Sequence, residues 1–153
     1  MTKISFDLDD TLMGVSAPRE PLGVVARLLG TERLRLGTRS LFRSLRAGGH
    51  APCVYTTSLR PHWRIWLTFR LHGLRVDRIV NGDDHKKSLA ASAGRSSKIP
   101  DAFGFAVHVD DAPIAQSEDD IRAKVIIVSP DDDDWTRDIL AEIERHTRQH
   151  PGG

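Results

Sequence analysis

The sequence predicts an α/β fold built on a mainly parallel five-stranded sheet. Short apolar runs of strand length alternate with longer segments that carry apolar residues at helical spacing. The five strands are expected over residues 3–8, 52–56, 78–80, 105–109 and 124–129. This alternation is typical of βαβ units, whose right-handed crossovers place the carboxyl ends of the strands at one edge of the sheet.

Helices are predicted between these strands. They are expected over residues 22–29, 38–47 and 60–72, from about Pro113, and from Trp135 to about Arg148. In the third of them, Trp63 and Trp66 fall at helical spacing and are assigned to the core. Segments 10–21 and 81–100 contain Gly and Pro and are predicted to be irregular, the second with one helical turn.

Length and composition indicate one globular domain. The chain has 153 residues, of which 39% are hydrophobic and 28% charged, enough for a substantial core. We expect a single domain over residues 1–148 and a flexible tail over 149–153. The single cysteine, Cys53, excludes an internal disulfide and is predicted to be buried. The lack of a membrane-length apolar run or a secretory leader favours a cytoplasmic protein with no membrane partner.

Charge is unevenly distributed along the chain. Residues 1–80 hold 13 Lys and Arg against 6 Asp and Glu, whereas residues 81–153 hold 9 against 15. The basic half is compatible with an anionic substrate or with solvated helix surfaces. Aromatic residues that stack on bases do not accompany the arginines, so nucleic-acid binding is not indicated.

Two carboxylates follow the first predicted strand. Asp7 and Asp9 lie two residues apart, and Thr11 continues the same spacing. Carboxylates this close repel each other unless a cation or hydrogen-bond donors lie between them. The end of the first strand therefore predicts a bound metal ion.

Further polar side chains lie at the ends of other strands. They are Thr56, Thr57 and Ser58 after the second strand, Lys98 before the fourth, and Asp110 and Asp111 after the fourth. If the chain order reverses between the first and fourth strands, these strands are neighbours and Asp7 approaches Asp110. Carboxylate oxygens suit Mg²⁺, which often shares a substrate phosphate.

The order of these motifs resembles that of the haloacid dehalogenase (HAD) superfamily over about residues 3–130. The four motifs read Asp-x-Asp-x-Thr, a hydroxyl residue, Lys, and paired Asp. The resemblance implies a Rossmann-like three-layer sandwich with strand order 5-4-1-2-3 and a Mg²⁺-dependent phosphomonoesterase. The intervals between the motifs leave room for a minimal cap at most. We expect an open site for a small or macromolecular phosphorylated substrate, with a homo-oligomer as one way to cover it.

The resemblance also implies a role for each motif residue. Asp7 is the nucleophile that forms an aspartyl phosphate, and Asp9 is first the general acid and then the base. Thr56 binds the transferring phosphoryl oxygens, and Lys98 holds Asp7 and the phosphoryl charge. The Mg²⁺ ligands are Asp7, the backbone carbonyl of Asp9, Asp110 and Asp111. Asp10, Thr11 and Thr57 are assigned to substrate binding.

Two motif positions have alternatives. Thr57 could take the place of Thr56, which is preferred because it follows the apolar run directly. Lys86 or Lys87 could take the place of Lys98, which is preferred for its position ahead of an apolar strand and the acid pair.

The acid pair itself has two interpretations. Either Asp110 or Asp111 could contact the metal, or the pair could cap a helix ahead of Pro113. His108, which precedes the pair on the same strand, is expected to point away from it.

Two other functional classes compete with the enzyme. One is a non-catalytic HAD-like binding or regulatory domain. The other is a receiver-like signalling module, which carries its phosphoacceptor after the third strand. The residues there, Val80-Asn81-Gly82-Asp83, match that module poorly.

Overall fold

Five strands and five α-helices make up the described part of the chain. The computed structural model describes residues 1–14, 16–91, 98–114 and 122–149. The strands are β1 (Lys3–Phe6), β2 (Ala51–Tyr55), β3 (Ile79–Val80), β4 (Val107–Asp110) and β5 (Lys124–Ile127). The helices are α1 (Val24–Leu28), α2 (Thr38–Ala47), α3 (His62–Leu71), α4 (Gly82–Ala91) and α5 (Trp135–Gln149), with a 3-10 helix over Pro100–Phe103.

The strands form one parallel sheet in the order β3-β2-β1-β4-β5. Read from the β5 edge, the neighbours are β5-β4-β1-β2-β3. The predicted α/β, Rossmann-like fold with a parallel sheet is confirmed. So is the adjacency of the first and fourth strands, because Ile4 pairs with Val107. The chain order reverses beside β1, which places the ends of β1 and β4 next to each other.

The hydrophobic core divides into two clusters. The larger contains Ile4 and Phe6 of β1 together with buried residues of α2, α3 and α5. The smaller contains Cys53, Tyr55, Val80 and Phe105, so the predicted burial of Cys53 is confirmed. Because successive strand residues point to opposite faces, Ser5 and Asp7 lie on the face opposite Ile4 and Phe6.

The core side of α3 differs from the prediction. Trp63 and Trp66 are 65% and 52% exposed, whereas Ile65 and Phe69 are buried. The helix is apolar around much of its circumference, so spacing alone did not identify the buried side. The buried side is the one that packs against α2, where the ring centroids of Phe69 and Phe42 lie 5.6 Å apart.

The segment after β3 forms a regular helix and not the predicted irregular excursion. Asn81 begins it, since its Oδ1 accepts hydrogen bonds from the backbone N–H groups of Asp83 and Asp84, each at 3.2 Å. Gly82 is required by close packing, because a Cβ there would lie 2.4 Å from the carbonyl oxygen of Thr57. Gly82 was interpreted as a turn signal, and α4 was therefore not predicted.

Two predictions fall largely outside the described residues. The helix expected from about Pro113 would run into residues 115–121, and the tail beyond Gln149 is also outside them. Within the described ranges, no helix has the combined length and apolar character needed to cross a membrane.

Candidate metal and phosphate site

β1 and β4 deliver two carboxylates to the same edge of the sheet. Asp7 directly follows β1, and its backbone N–H donates to the carbonyl oxygen of Val109 at 2.9 Å. This bond continues the β1–β4 register by one residue, so Asp7 lies beside Asp110, the last residue of β4. The predicted approach of Asp7 to Asp110 therefore follows from the parallel pairing of the two central strands.

Lys98 lies between the two carboxylates. Its Nζ is 2.7 Å from Oδ1 of Asp7 and 2.7 Å from Oδ2 of Asp110. All three side chains are nearly buried, at 11%, 10% and 7% exposure for Lys98, Asp7 and Asp110. The alternative lysines, Lys86 and Lys87, are exposed on α4. A buried charge of either sign needs a partner, and Lys98 supplies one to both aspartates.

A third carboxylate completes a group of three aspartates that could hold a metal ion. Asp7, Asp110 and Asp111 each offer a carboxylate oxygen, and these oxygens lie within 4.8 Å of one another. Thr11 reaches this group from the loop after β1, with its Oγ1 3.4 Å from Oδ1 of Asp111. Hard oxygen donors of this kind fit Mg²⁺. The residues present are thus chemically suited to the predicted ion.

The pKa values of the three carboxylates are shifted first by burial and then by their hydrogen-bond partners. Burial raises the pKa of Asp7 to about 6, although Lys98 opposes the shift. Burial and a hydrogen bond with Asp110 raise the pKa of Asp111. Burial also acts on Asp110, but the hydrogen bonds from His108 and Lys98 outweigh it and hold that pKa well below its usual range. A divalent cation would favour the ionised form of all three carboxylates.

The carboxylate of Asp9 lies outside this group. Its side chain is 52% exposed, and its Oδ2 accepts a hydrogen bond from Nη1 of Arg60 at 2.9 Å. Arg60 also donates to both carboxylate oxygens of Glu32, at 3.2 and 3.1 Å. The resemblance assigns only the backbone carbonyl of Asp9 to the metal, and that assignment stays a prediction.

The remaining predicted site residues lie in the turns after β1 and β2. Thr56 is buried, and its Oγ1 accepts a hydrogen bond from the backbone N–H of Ser58 at 3.1 Å, whereas Thr57 is exposed. Asp10 is also exposed and has a positive φ of 59°, a conformation that aspartate tolerates better than most residues. Because a hydroxyl both accepts and donates, Thr56 also has a hydrogen that it can donate.

Three residues of the site were missed or misplaced by the sequence analysis. His108 was expected to point away from the acid pair, but its Nε2 lies 3.0 Å from Oδ2 of Asp110. The two-residue alternation of a strand places residues 108 and 110 on one face, and that signal was available. Arg60 and Glu32 are joined only by the tertiary fold, so no local pattern indicates them.

Comparison with family models, curated proteins and solved structures finds no match for this chain. The functional interpretation therefore depends on the residues of the site and their geometry.

Proposed function

We propose that this protein is a Mg²⁺-dependent phosphohydrolase that acts through an aspartyl phosphate, on a HAD-like three-layer sandwich without a large cap. The observation that carries the proposal is the convergence of Asp7, Lys98, Asp110 and Asp111 at the carboxyl ends of β1 and β4. In open parallel sheets, this edge is where ligands bind.

The first chemical step would be attack by Asp7 on the phosphorus of a phosphate monoester. The bond from carboxylate oxygen to phosphorus forms as the bond to the leaving oxygen breaks, and Asp9 supplies the proton that the leaving oxygen takes up. Lys98 holds Oδ1 of Asp7, so the other carboxylate oxygen is free of that contact. Two anions must meet in this step, and the Lys98 charge lowers the cost of their approach.

The second step would return Asp7 to its starting state. Asp9, now a carboxylate, takes a proton from water, and the water oxygen bonds to phosphorus as the bond from phosphorus to the Asp7 carboxylate oxygen breaks, which releases inorganic phosphate. When bound by Asp7, Asp110, Asp111 and the carbonyl of Asp9, Mg²⁺ would supply charge neutralisation for the phosphoryl oxygens. The Thr56 hydroxyl at the end of β2 is suited to donate to one of those oxygens.

One observation favours a non-catalytic binding domain as the second candidate. The Asp9 carboxylate is engaged by Arg60, whose Nη1 donates a hydrogen bond to its Oδ2 at 2.9 Å. To act as the general acid, Asp9 must give up its hydrogen bond with Arg60 and contact the leaving oxygen of the substrate. A chain in which that exchange does not occur would bind phosphate and Mg²⁺ without turnover.

The proposal is tested by turnover of 4-nitrophenyl phosphate and a broad panel of phosphate monoesters, with and without Mg²⁺. We expect activity that chelation removes and that Asp7→Asn lowers by roughly 10³-fold or more, as for loss of other catalytic nucleophiles. Asp138→Asn, a matched change on the exposed surface of α5, should retain full activity. Undiminished turnover in Asp7→Asn would reject the nucleophile, and wild-type binding without turnover would favour the binding domain.

A further inference from the structure

His108 is a fully buried polar side chain with no assigned role in the proposed reaction. It lies on β4 two residues before Asp110, so the two side chains share one face of the strand. Ser5 is its partner in the register of β1 with β4. The imidazole lies between them, with Nδ1 2.8 Å from Oγ of Ser5 and Nε2 3.0 Å from Oδ2 of Asp110.

The partners of the imidazole determine where its proton lies. An ionised carboxylate can only accept, and therefore Nε2 donates to Asp110. Nδ1 is then the ring nitrogen that faces the Ser5 hydroxyl, at 2.8 Å. The other acceptor near that hydroxyl, the carbonyl oxygen of Val107, is farther away at 3.3 Å.

Among the residues that the structure describes, three hydrogen-bond donors reach the Asp110 carboxylate from His108, Lys98 and Ala112. Oδ2 accepts from His108 and from Nζ of Lys98, which lies at 2.7 Å. Oδ1 accepts from the backbone N–H of Ala112 at 3.2 Å. Since each carboxylate oxygen offers about two lone pairs, these three donors fill Oδ2 and leave one lone pair of Oδ1. Asp110 also shares a hydrogen bond with Asp111, and a bound cation would replace that contact.

We propose that His108 is a positioning residue that holds Asp110 in the orientation in which Oδ1 faces outward as the ligand atom for a divalent cation. The inference rests on the proposed function, because the cation is the one that function requires. It extends that function to a buried chain of three residues, Ser5, His108 and Asp110, of which only the last contacts the ion. Without the Nε2 donor, one lone pair of Oδ2 is unpaired and the carboxylate is held only by Lys98 and the backbone N–H of Ala112.

The test is calorimetric titration of the full chain with Mg²⁺ alone, in the absence of substrate. A glutamine at position 108 can place an amide N–H near the position of Nε2, whereas an asparagine reaches only the position of Nδ1. We expect His108→Asn to weaken Mg²⁺ binding by roughly 10- to 100-fold, the usual cost of losing a residue that orients a metal ligand. His108→Gln should bind nearly as tightly as the wild type.

Two further variants complete the design. Ser5→Ala leaves the imidazole in place but removes the hydroxyl that lies 2.8 Å from its Nδ1 and helps to orient the ring. This variant should weaken Mg²⁺ binding several-fold. His72→Gln alters another buried histidine, one that bonds to Leu34 and Thr68, and should leave the affinity unchanged. Thermal unfolding of each variant checks that it is folded.

The outcomes separate this inference from the proposed function. Equal Mg²⁺ affinity in His108→Gln and His108→Asn would overturn the role of His108 and leave the metal centre intact. If His108→Asn does not fold, Ser5→Ala decides, and an unchanged affinity in it overturns the role. A wild-type chain that binds no Mg²⁺ would overturn the proposed metal centre and this inference together.

Discussion

The two sides of the candidate site are built in opposite ways. The inner flank, formed by Asp7, Lys98, His108 and Asp110, is nearly buried. The outer flank, formed by Asp9, Glu32 and Arg60, is partly exposed and lies on the connections after β1, α1 and β2. The inner flank is positioned largely by strand register and the outer one by loops.

This difference separates fixed charges from adjustable ones. Ions in a buried cluster are expensive to leave unpaired, so the inner flank has little freedom to rearrange. Exposed ion pairs contribute about 0–1 kcal/mol and are screened by salt, so the outer flank can exchange partners at low cost. A reaction that needs a fixed nucleophile and an exchangeable acid would use the two sides in this way.

The largest effect should follow removal of the shared charge of the inner flank. In Lys98→Met, Asp7 and Asp110 face each other without a cation, and we expect the free energy of unfolding without Mg²⁺ to fall by about 3 kcal/mol. Mg²⁺ should restore part of this loss, because it replaces the missing charge. Chemical denaturation with and without Mg²⁺ measures both quantities.

The matched change on the outer flank is Arg60→Met. It should lower the free energy of unfolding by less than about 1 kcal/mol, because partly exposed pairs are screened. Equal losses in the two variants would contradict the division into a fixed and an adjustable side. So would a Lys98→Met protein whose stability does not respond to Mg²⁺.

A smaller effect should distinguish substrates by their leaving groups. If Arg60 holds Asp9 over the site until the leaving group takes its place, Arg60→Gln should slow alkyl phosphates by about tenfold, which is less than the roughly 10²- to 10⁴-fold that a general acid itself contributes. It should affect 4-nitrophenyl phosphate much less, since that leaving group needs little protonation. Steady-state kcat/KM on the two substrates measures the split.

The control for this comparison is Arg64→Gln. Arg64 contacts Glu32 at 3.6 Å, so it probes the same acidic neighbour, and we expect no dependence on the leaving group. An equal loss on both substrates in Arg60→Gln would show that Arg60 does not act through Asp9.

The inner flank was largely predictable from the sequence, and the outer flank was not. Asp7 and Asp110 follow apolar runs whose parallel pairing brings their ends together, and Lys98 was selected from three lysines by its position before β4. Arg60 meets Asp9 across 51 residues of chain, and such a contact depends on how two loops fold over the sheet edge. The spacing of residues along the sequence does not indicate this contact.

The errors within the fold have related causes. Gly82 was taken as a turn signal, but the structure uses it for close contact with the turn after β2. Trp63 and Trp66 were assigned to the core because α3 offers apolar residues on several sides, and only packing against α2 decides between them. Local patterns identified most elements correctly, whereas choices that depend on a neighbouring element required the structure.

The smallest expected effect concerns a buried histidine that belongs to neither flank. His72 donates from Nδ1 to the carbonyl oxygen of Thr68 at 2.8 Å, and its Nε2 accepts from the backbone N–H of Leu34 at 3.4 Å. Burial lowers its pKa, so below the unfolded-state value of about 6.5 the unfolded chain binds more protons than the folded one. Stability should therefore be full above that pH and fall as the pH decreases.

Urea unfolding of the wild type and of His72→Gln at pH 7.5 and 5.5 measures the contribution of His72 to the pH dependence of the free energy of unfolding. The wild type should lose more stability than the variant on acidification, by no more than about 1.4 kcal/mol per pH unit for one proton. Parallel losses would show that His72 does not contribute to the pH dependence. A larger loss in the variant would contradict the lowered pKa of His72, since it would mean that the folded chain holds the His72 proton more tightly than the unfolded one.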